Sequence, residues 1–198
     1  MSFLFKHPKL YKTKMNILNR INDTDDITQE VRNKNVIIFG SGFTNYNFTR
    51  KVTKKTVGVD ISKEFIEEAN KTKLQNESFF VEDITKRLDL PSKSFDICLI
   101  PFVLHHIREE NHIHVIEEAT RLAKQRIIIY DHIRNSNILK STVQMIYWKI
   151  ADGGLKYRTE KEWYFLLDGR KYVTKRYGAM FGNIIKIVIK TDKKCGRF

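Results

Sequence analysis

The sequence predicts an α/β protein built on a parallel, doubly wound sheet. Three observations lead to this class of fold. Short apolar runs alternate with segments of helical periodicity, which is the pattern of consecutive βα units. A Gly-Ser-Gly turn directly follows the first apolar run, and an aspartate ends the second run about 20 residues later. This order of strand, glycine turn, strand and terminal carboxylate is typical of nucleoside-binding sheets.

The glycine turn and the strand before it carry the first functional signal. Residues 36–39 (VIIF) form the uninterrupted apolar run that is expected of a buried parallel strand. Gly40 and Gly42 allow the backbone to turn sharply and to approach a ligand closely. Thr44 or Asn45 can then cap a short helix whose free N–H groups point back at the turn.

Asp60 supplies the carboxylate at the end of the second apolar run. An acidic residue at this distance from a glycine turn accepts hydrogen bonds from ribose hydroxyls. A nicotinamide dinucleotide and S-adenosylmethionine (SAM) both fit this pattern. The dinucleotide fingerprint has a third glycine where this chain has Asn45, so the later motifs must separate the two ligands.

The later elements continue the alternation of strands and helices. Ser62 can cap a helix whose residues Phe65, Ile66 and Ala69 face the sheet. Residues 159–162 (TEKE) form a capping box at the start of another helix. The predicted strands comprise residues 36–39, 56–60, 78–81, 95–100, 126–130, 172–177 and 183–190. Besides the helix that Ser62 caps, the predicted helices comprise residues 3–21, 109–123, 141–150 and 160–167.

Four stretches of the sequence resemble one enzyme family. VIIFGSGFTN, TVGVDIS, FFVEDI and SFDICLIPFVLHHI are similar to the motifs of the class I SAM-dependent methyltransferases. The branch that includes the ubiquinone/menaquinone-type enzymes is the most similar. The resemblance implies a Rossmann-like, doubly wound, seven-stranded sheet that is mostly parallel with an antiparallel last strand. It also implies SAM as the cofactor.

The same resemblance assigns the residues that hold SAM. The glycine turn admits its methionine end, Asp60 accepts from both ribose hydroxyls, and Asp83 accepts from the adenine amino group. Asp83 can alternatively hydrogen-bond within its own loop. Pro101 and Phe102 wall the site near the reactive sulfonium. The full predicted set is Phe39, Gly40, Ser41, Gly42, Asp60, Ile61, Asp83, Ile84, Pro101 and Phe102.

Two positions depart from the family pattern. An acidic residue usually stands two positions before the first glycine and helps to hold the amino-acid end of the cofactor, but this chain has Ile38 there. A further glycine usually follows the Gly-x-Gly, where this chain has Phe43 and Thr44. Loss of one charge-assisted hydrogen bond costs about 1.5–3 kcal/mol. These departures predict weaker binding and leave a non-catalytic cofactor-binding module as an alternative function.

Four polar residues are candidates for acid–base chemistry. His105 and His106 follow the predicted fourth strand, and Asp131 and His132 follow the predicted fifth strand, at the edge where open α/β sheets bind ligands. Histidine has a pKa suited to a base near neutrality, and a base is needed only if the acceptor must lose a proton. An adjacent histidine pair is equally compatible with a structural role. No metal site is predicted, because no carboxylate–histidine spacing supports one.

Composition and charge restrict the class of protein. The 198 residues are 41% hydrophobic and 12% aromatic, which suits one folded domain. The net charge of +13 is concentrated near both ends of the chain. It predicts either solvated lysines or an anionic partner such as nucleic acid, an acidic metabolite or a membrane surface. No apolar run could span a membrane and the two cysteines, Cys98 and Cys195, lie far apart, so we predict a cytoplasmic protein.

The whole chain is predicted to be a single methyltransferase domain. Its parts are an N-terminal helical cap (1–34), a cofactor-binding core (35–131), a helical acceptor cap (132–170) and a C-terminal hairpin (171–190). The acceptor cap is rich in aromatic and basic residues, which favours a flat or anionic acceptor, although the same rings could merely pack the helices onto the sheet. Its aromatic residues are Tyr147, Trp148, Tyr157, Trp163 and Tyr164.

The predicted function is methyl transfer from SAM to a small molecule or a lipid precursor. RNA or protein is the alternative class of acceptor. The amino-directed nucleic-acid enzymes of the family carry an Asn/Asp-Pro-Pro-aromatic motif after the fourth strand. This chain has Ile-Pro-Phe-Val at residues 100–103, so the motif does not support a nucleic-acid acceptor.

Overall fold

The computed structural model describes residues 25–42, 49–151, 153–179 and 182–191. Its strands are β1 (Asn35–Phe39), β2 (Lys55–Asp60), β3 (Glu77–Val81), β4 (Phe95–Pro101), β5 (Ala123–Ile133), β6 (Tyr172–Ala179) and β7 (Gly182–Lys190). They form one seven-stranded sheet in the order β3-β2-β1-β4-β5-β7-β6. β1 to β5 pair in parallel, and β7 runs antiparallel to both β5 and β6. The predicted fold class is confirmed.

Helices connect these strands and cover both faces of the sheet. They are α1 (Asp25–Val31), α2 (Lys63–Thr72), α3 (His112–Leu122), α4 (Ile138–Ala151) and α5 (Glu160–Leu166). Two single 3-10 turns, Leu104–His106 and Glu109–Asn111, lie between β4 and α3. The predicted N-terminal helix (residues 3–21) and the predicted cap at Thr44 or Asn45 lie outside the described residues. Among the described helices, none is long and apolar enough to cross a membrane.

The central strand β1 is buried on both faces, which explains its uninterrupted apolar sequence. Ile37 and Phe39 pack in one hydrophobic cluster with α3 and with Trp163 of α5. Val36 and Ile38 point to the opposite face and pack with α1, because successive side chains of a strand alternate between faces. The core therefore consists of two apolar layers separated by the sheet.

The strand order determines where a ligand can bind. β1 lies between β2 and β4, so the chain winds outward from β1 in one direction and then in the other. Open α/β sheets bind ligands in the crevice beyond the carboxyl ends of the strands at this switch point. The segments that follow β1, β2 and β4 all begin at that edge.

The fifth strand is longer than the sequence predicts. It was predicted over residues 126–130, and β5 spans Ala123–Ile133 because it pairs with β4 from its first residue and with the nine-residue β7 to its last. The prediction that Asp131 and His132 follow this strand is therefore wrong. Both lie within β5 opposite residues of β7, and the antiparallel ladder fixes their backbone.

The helix predicted over residues 109–123 is shorter at both ends. Its first three residues form a separate 3-10 turn, and α3 begins at the buried residue His112, whose Nε2 lies 2.8 Å from the carbonyl oxygen of Ile107. Ala123 already belongs to β5. Val115, Ile116, Ala119 and Leu122 of this helix are buried, whereas Ile113 is 53% exposed.

The predicted capping box at the start of α5 is confirmed. Thr159 donates its backbone N–H to Glu162 at 2.6 Å, and the Thr159 hydroxyl accepts the Glu162 N–H at 3.4 Å. The Glu162 carboxylate also pairs with Arg134 at 3.2 Å and with Lys156 at 3.0 Å. Partial burial acts to raise the pKa of Glu162, but the Thr159 donors and the two cations outweigh it and lower the pKa to about 2.

We expect Glu162→Gln to lower the free energy of unfolding at neutral pH by about 1–2 kcal/mol, because a capping carboxylate and two partly exposed ion pairs are lost. The carboxylate contributes fully above its ordinary pKa of 4.5, and its contribution disappears as the pH falls toward about 2. Urea unfolding at neutral and acidic pH measures the difference between the two proteins. A difference that stays constant with pH would contradict the charge-based reason.

Candidate active site

A cavity of about 780 Å³ opens at the carboxyl-terminal edge of the sheet. Its walls come from the segments that follow β1, β2, β3 and β4, and from the segment between α4 and α5. Eight of the ten residues predicted to hold a cofactor line it, namely Gly40, Gly42, Asp60, Ile61, Asp83, Ile84, Pro101 and Phe102. The fold therefore brings together side chains that the sequence distributes over four βα units.

The two glycines of the first turn have different structural requirements. Both have a positive φ, +65° at Gly40 and +56° at Gly42. A Cβ atom at Gly40 would lie 2.2 Å from Cγ2 of Val103, whereas a Cβ atom at Gly42 would meet nothing within 4 Å. Gly40 is therefore needed for packing against the loop after β4, and Gly42 leaves open space at the cavity.

Asp60 links the end of β2 to the glycine turn and to the start of α2. Its carboxylate accepts the backbone N–H of Gly42 at 2.8 Å and that of Ser62 at 2.9 Å. Burial raises the pKa of Asp60, against the opposing effect of these backbone donors. Each carboxylate oxygen can accept more than one hydrogen bond, so the group keeps acceptor capacity toward the cavity.

Asp83 hydrogen-bonds within its own loop and also lines the cavity. Its carboxylate accepts from the backbone N–H of Thr85 at 3.0 Å and from the Thr85 hydroxyl at 2.6 Å, and it pairs with Lys86 at 3.6 Å. The Thr85 hydroxyl is the main reason that the pKa of Asp83 is lowered. The same residue lines the cavity beside Ile84, so its turn holds an ionised carboxylate at the cavity wall.

Two of the predicted cofactor residues lie behind the cavity wall. Phe39 is fully buried in the cluster that contains α3, and Ser41 is buried while its N–H donates to the Val59 carbonyl at 2.9 Å. Ile38, where the family pattern has an acid, packs among mainly apolar residues of the opposite layer. An ionised carboxylate there would be costly without a partner, so isoleucine suits this layer.

The wall at the end of β4 contains an unusual backbone conformation. Phe102 has a φ of +55°, in the left-handed region that a bulky residue rarely adopts. Its N–H donates to the Tyr130 carbonyl of β5 at 2.7 Å, and its ring centroid lies 5.4 Å from that of His132. A conformation of this kind costs about 1–3 kcal/mol and tends to occur at functional sites.

His105 and Asp131 form a buried pair beside the cavity. His105 Nδ1 is hydrogen-bonded to Asp131 Oδ1, and the His105 backbone N–H donates to Asp131 Oδ2 at 3.2 Å. Both side chains are at most 2% exposed. Burial acts to raise the pKa of Asp131, but His105 and His132 outweigh it, so the net shift is downward. The pair fixes the 3-10 turn after β4 onto β5.

The four predicted acid–base residues therefore differ in their access to the cavity. His106 alone among them lines it, and its ring centroid lies 4.1 Å from that of His105. His132 is half-buried and lies 5.1 Å from His105. A proton acceptor at the cavity can thus be His106, while His105 and Asp131 can act only through their neighbours.

A series of aromatic contacts leads from Phe102, which lines the cavity, into the predicted acceptor cap. Trp148 of α4 lies 5.0 Å from His132 and 4.8 Å from Tyr157, measured between ring centroids. The Tyr157 hydroxyl donates to the Trp148 carbonyl at 3.3 Å and accepts the Gly154 N–H at 3.1 Å. Trp148 and Tyr157 are both buried. We call Phe102, His132, Trp148 and Tyr157 the aromatic cluster.

The remaining aromatic residues of the cap lie elsewhere. Trp163 belongs to the main hydrophobic core under the Arg158 guanidinium, which lies 5.6 Å from its ring. Tyr147 and Tyr164 are each 40% exposed. The five aromatic residues that looked equivalent in the sequence are thus divided between the aromatic cluster, the core and the surface.

Several cavity residues were missed by sequence reasoning. Val103, Arg108 and Asn111 come from the segment between β4 and α3, and Gly153 and Leu155 come from the connection between α4 and α5. Gly153 is the first of two adjacent glycines, Gly153 and Gly154. A double glycine also permits close backbone approach to a ligand, which was the signal available in the sequence.

The fold and the cavity define the class of protein that the motifs resembled, a class I SAM-dependent methyltransferase. Residues 38–130, from β1 into β5, match the family model described as "Methyltransferase domain". SAM is therefore the cofactor. No curated protein sequence matches the chain.

Solved structures share the fold at low sequence identity. YcgJ from Bacillus subtilis is 16% identical with a TM-score of 0.70, over 84% of this chain and 96% of that chain. Magnesium protoporphyrin IX methyltransferase (ChlM) from Synechocystis PCC 6803 with bound SAH is 18% identical with a TM-score of 0.65, over 87% and 84%. A methyltransferase in complex with the Haloferax volcanii Trm112 methyltransferase activator is 13% identical with a TM-score of 0.70, over 96% and 98%. At these identities the comparison shows that the fold is shared, and nothing beyond the fold.

Proposed function

We propose that the cavity holds SAM in an extended arrangement along the ends of β1, β2 and β3. In this arrangement Asp60 accepts from both ribose hydroxyls, and Asp83 accepts from the adenine amino group. The turn from Gly40 to Gly42 receives the methionine end. Open space beside Gly42 and the exposed side chain of Ile61 at the cavity support this arrangement.

The missing first-strand acid is compatible with this proposal. Ile38 lies in the opposite apolar layer, so the amino-acid end of SAM has to be held by backbone groups of the glycine turn. The loss of one charge-assisted hydrogen bond predicts binding weaker by about 1.5–3 kcal/mol. Such binding remains compatible with catalysis, since Asp60 and Asp83 supply two independent anchors.

When bound, SAM supplies a methyl group that is already activated on a sulfonium. The chain then has to align the acceptor and to exclude water, which are the main contributions of a protein to such a displacement. Phe102 and Pro101 form the wall next to the acceptor cap. Methylation of a hydroxyl or an amine releases a proton, and we assign its removal to a ring nitrogen of His106. The His105–Asp131 pair holds the turn that carries His106.

The acceptor is proposed to be a small molecule or a lipid precursor with a flat, conjugated region. The ring of Phe102 at the cavity wall is the single observation that carries this proposal, because the tilted rings of the aromatic cluster support it from behind, away from the residues assigned to SAM. Aromatic faces bind flat rings by offset stacking. Arg108 at the cavity can pair with an anionic group on the same acceptor.

The acceptor class can be tested with methyl-labelled SAM. Cell extract is separated into lipid, small-molecule, protein and RNA fractions, and each is incubated with the protein. We expect label in the lipid or small-molecule fraction. Label confined to RNA or to protein would overturn the proposed class while leaving SAM binding intact.

A substitution in the aromatic cluster tests the proposed acceptor wall. Trp148→Leu is expected to reduce turnover by roughly 10- to 100-fold, because one aromatic contact is lost and the acceptor is misaligned. The affinity for SAM, measured by calorimetry, should stay nearly unchanged. Tyr164→Leu is the matched control, since Tyr164 is exposed on the same segment and lies outside the cluster. If Trp148→Leu only lowers the melting temperature and turns over normally below it, the cluster is packing.

A further inference from the structure

The outward side of α4 carries an apolar stripe with no covering element in the described residues. Its large aliphatic side chains recur with the spacing i, i+4, i+7 and i+11, which is one line along a helix. They are strongly exposed, although aliphatic residues on a helix that packs against a sheet are normally inside. The stripe consists of Leu139 (77% exposed), Val143 (69%), Ile146 (57%) and Ile150 (77%).

Lysines flank this stripe on both sides. At about 100° per residue, Lys140 and Lys149 lie roughly 90° to either side of its centre line. The buried residues Ser141 and Trp148 lie on the opposite side of the helix. The sequence from 134 to 151 contains no acidic residue. The helix is therefore apolar along its outer line, cationic at the margins of that line, and anchored to the protein by its inner side.

The stripe lies next to the active site along the chain. Trp148, on the inner side of the same helix, packs on His132 in the aromatic cluster. The connection that leaves α4 contributes Gly153 and Leu155 to the cavity lining, and Leu155 is itself 64% exposed. A surface that covers the stripe would thus come close to the mouth of the cavity.

We infer that α4 docks the protein on the surface of an anionic lipid bilayer. The four aliphatic side chains enter the boundary between headgroups and acyl chains, and the two lysines extend toward the lipid phosphates. Helices that lie in a membrane interface combine these two features, an apolar line and flanking cations. The net charge of +13 adds long-range attraction to a negative surface. The inferred attachment is that of a helix lying in the interface, and none of the described helices can cross the bilayer.

The charge of α4 favours an anionic lipid surface over a second copy of the chain or the N-terminal segment as the partner that covers the stripe. Two copies of the chain meeting through α4 would bring four lysines together without an acidic partner in either helix. The first twenty residues of the chain carry five basic residues and no acid, so they too would be repelled by α4. An anionic bilayer satisfies both the apolar line and the lysines.

Docking through α4 goes beyond the proposed function. It would let an apolar acceptor reach the cavity directly from the bilayer. Only this route for the acceptor rests on the proposed function. The attachment itself depends on the stripe and the lysines, and it can be measured without knowing the acceptor.

Vesicle flotation tests the inference with two variants of the full chain. The variant Val143→Ser/Ile146→Ser removes the centre of the stripe, and Val173→Ser is the matched control. Val173 is 63% exposed on β6, at the level of Ile128 in the middle of the sheet, away from the cavity edge. We expect the unsubstituted protein and the control to float with phosphatidylcholine–phosphatidylglycerol vesicles. The double variant should partition at least roughly tenfold less, because two aliphatic side chains no longer enter the interface.

The other outcomes overturn the inference. Equal partitioning of all three proteins would mean that the general positive charge binds the vesicles without the stripe. A concentration-dependent dimer that the double variant abolishes would assign the stripe to a second copy. Recovery of vesicle binding only after removal of residues 1–24 would assign it to the N-terminal segment. SAM calorimetry on each variant establishes that it is folded and reports separately on the proposed cofactor site. The single variant Leu139→Ser repeats the test if the double variant fails to bind SAM.

Discussion

Asp60→Asn is expected to weaken SAM binding by roughly tenfold or more, because the two ribose hydroxyls lose their shared charged acceptor. The amide keeps one oxygen and replaces the other by a donor group. The two carboxylate oxygens now accept separately from the N–H groups of Gly42 at 2.8 Å and Ser62 at 2.9 Å, so in the variant one of these donors faces an NH₂ group instead of an acceptor. Isothermal calorimetry with SAM and with its demethylated product measures the effect.

The stability of the Asp60→Asn protein should stay close to that of the unsubstituted protein. Burial raises the pKa of Asp60, so the ionised form is less favourable in the folded state than in the unfolded chain. Above that raised pKa, a neutral side chain removes this unfavourable contribution and partly offsets the lost hydrogen bond. Affinity for SAM in the unsubstituted protein should correspondingly decline as the pH falls through the pKa of Asp60.

Glu67→Gln is the charge-matched control for Asp60→Asn. Glu67 is an exposed carboxylate on α2 that pairs with Lys63 at 3.8 Å and does not line the cavity, so its loss should leave SAM affinity unchanged. An Asp60→Asn protein that is folded and binds SAM with an unchanged dissociation constant would contradict the assigned role. NAD should not bind to any of these proteins, and NAD binding without a response to SAM would contradict the cofactor site.

Gly40→Ala is expected to lower the free energy of unfolding by about 2–4 kcal/mol. Two physical reasons add together at this position. Its φ of +65° disfavours any residue with a Cβ atom, and that atom would lie 2.2 Å from Cγ2 and 3.0 Å from Cγ1 of Val103. Urea unfolding of the variant measures the loss, and SAM affinity should fall with it because the turn is displaced.

Gly42→Ala separates backbone strain from steric overlap. Its φ of +56° carries a similar strain of about 1–2 kcal/mol, but its Cβ atom meets nothing within 4 Å. The variant should therefore lose less stability than Gly40→Ala, while its methyl group occupies space that is assigned to SAM. The double variant Gly40→Ala/Val103→Ala should recover part of the lost stability. Equal destabilisation by the two single variants would show that Val103 does not limit the turn.

The proposed cofactor site and the proposed acceptor wall predict separate effects of mutation. Asp60 and the glycine turn come from β1 and β2, so their substitution should change SAM affinity first. Trp148 belongs to α4, so its substitution should change turnover at constant SAM affinity. A protein in which both groups of substitutions changed the same quantity would have its acceptor inside the cofactor half of the cavity.

The residues proposed to hold SAM were predictable from local sequence patterns. The run at residues 36–39, the glycine turn and Asp60 are local patterns, and each follows from short-range rules of strand burial, turn conformation and strand-end position. The capping box at Thr159 was predictable for the same reason, since both of its partners lie within four residues. Ser62 likewise caps α2 as predicted, and its hydroxyl accepts the Phe65 N–H at 3.2 Å.

The surroundings of the residues proposed to face the acceptor depend on contacts between distant segments, which the sequence does not show. Asp131 lies inside β5 because β7, some 50 residues later in the sequence, extends the ladder past the apolar run. Tyr147, Trp148 and Trp163 are all aromatic residues of predicted helices, yet Trp148 packs on His132, Trp163 lies in the core and Tyr147 is 40% exposed. Helical periodicity locates an apolar line on α4 but cannot tell which side of the helix meets the protein. That choice depends on contacts between distant segments, and those contacts left four aliphatic side chains facing outward.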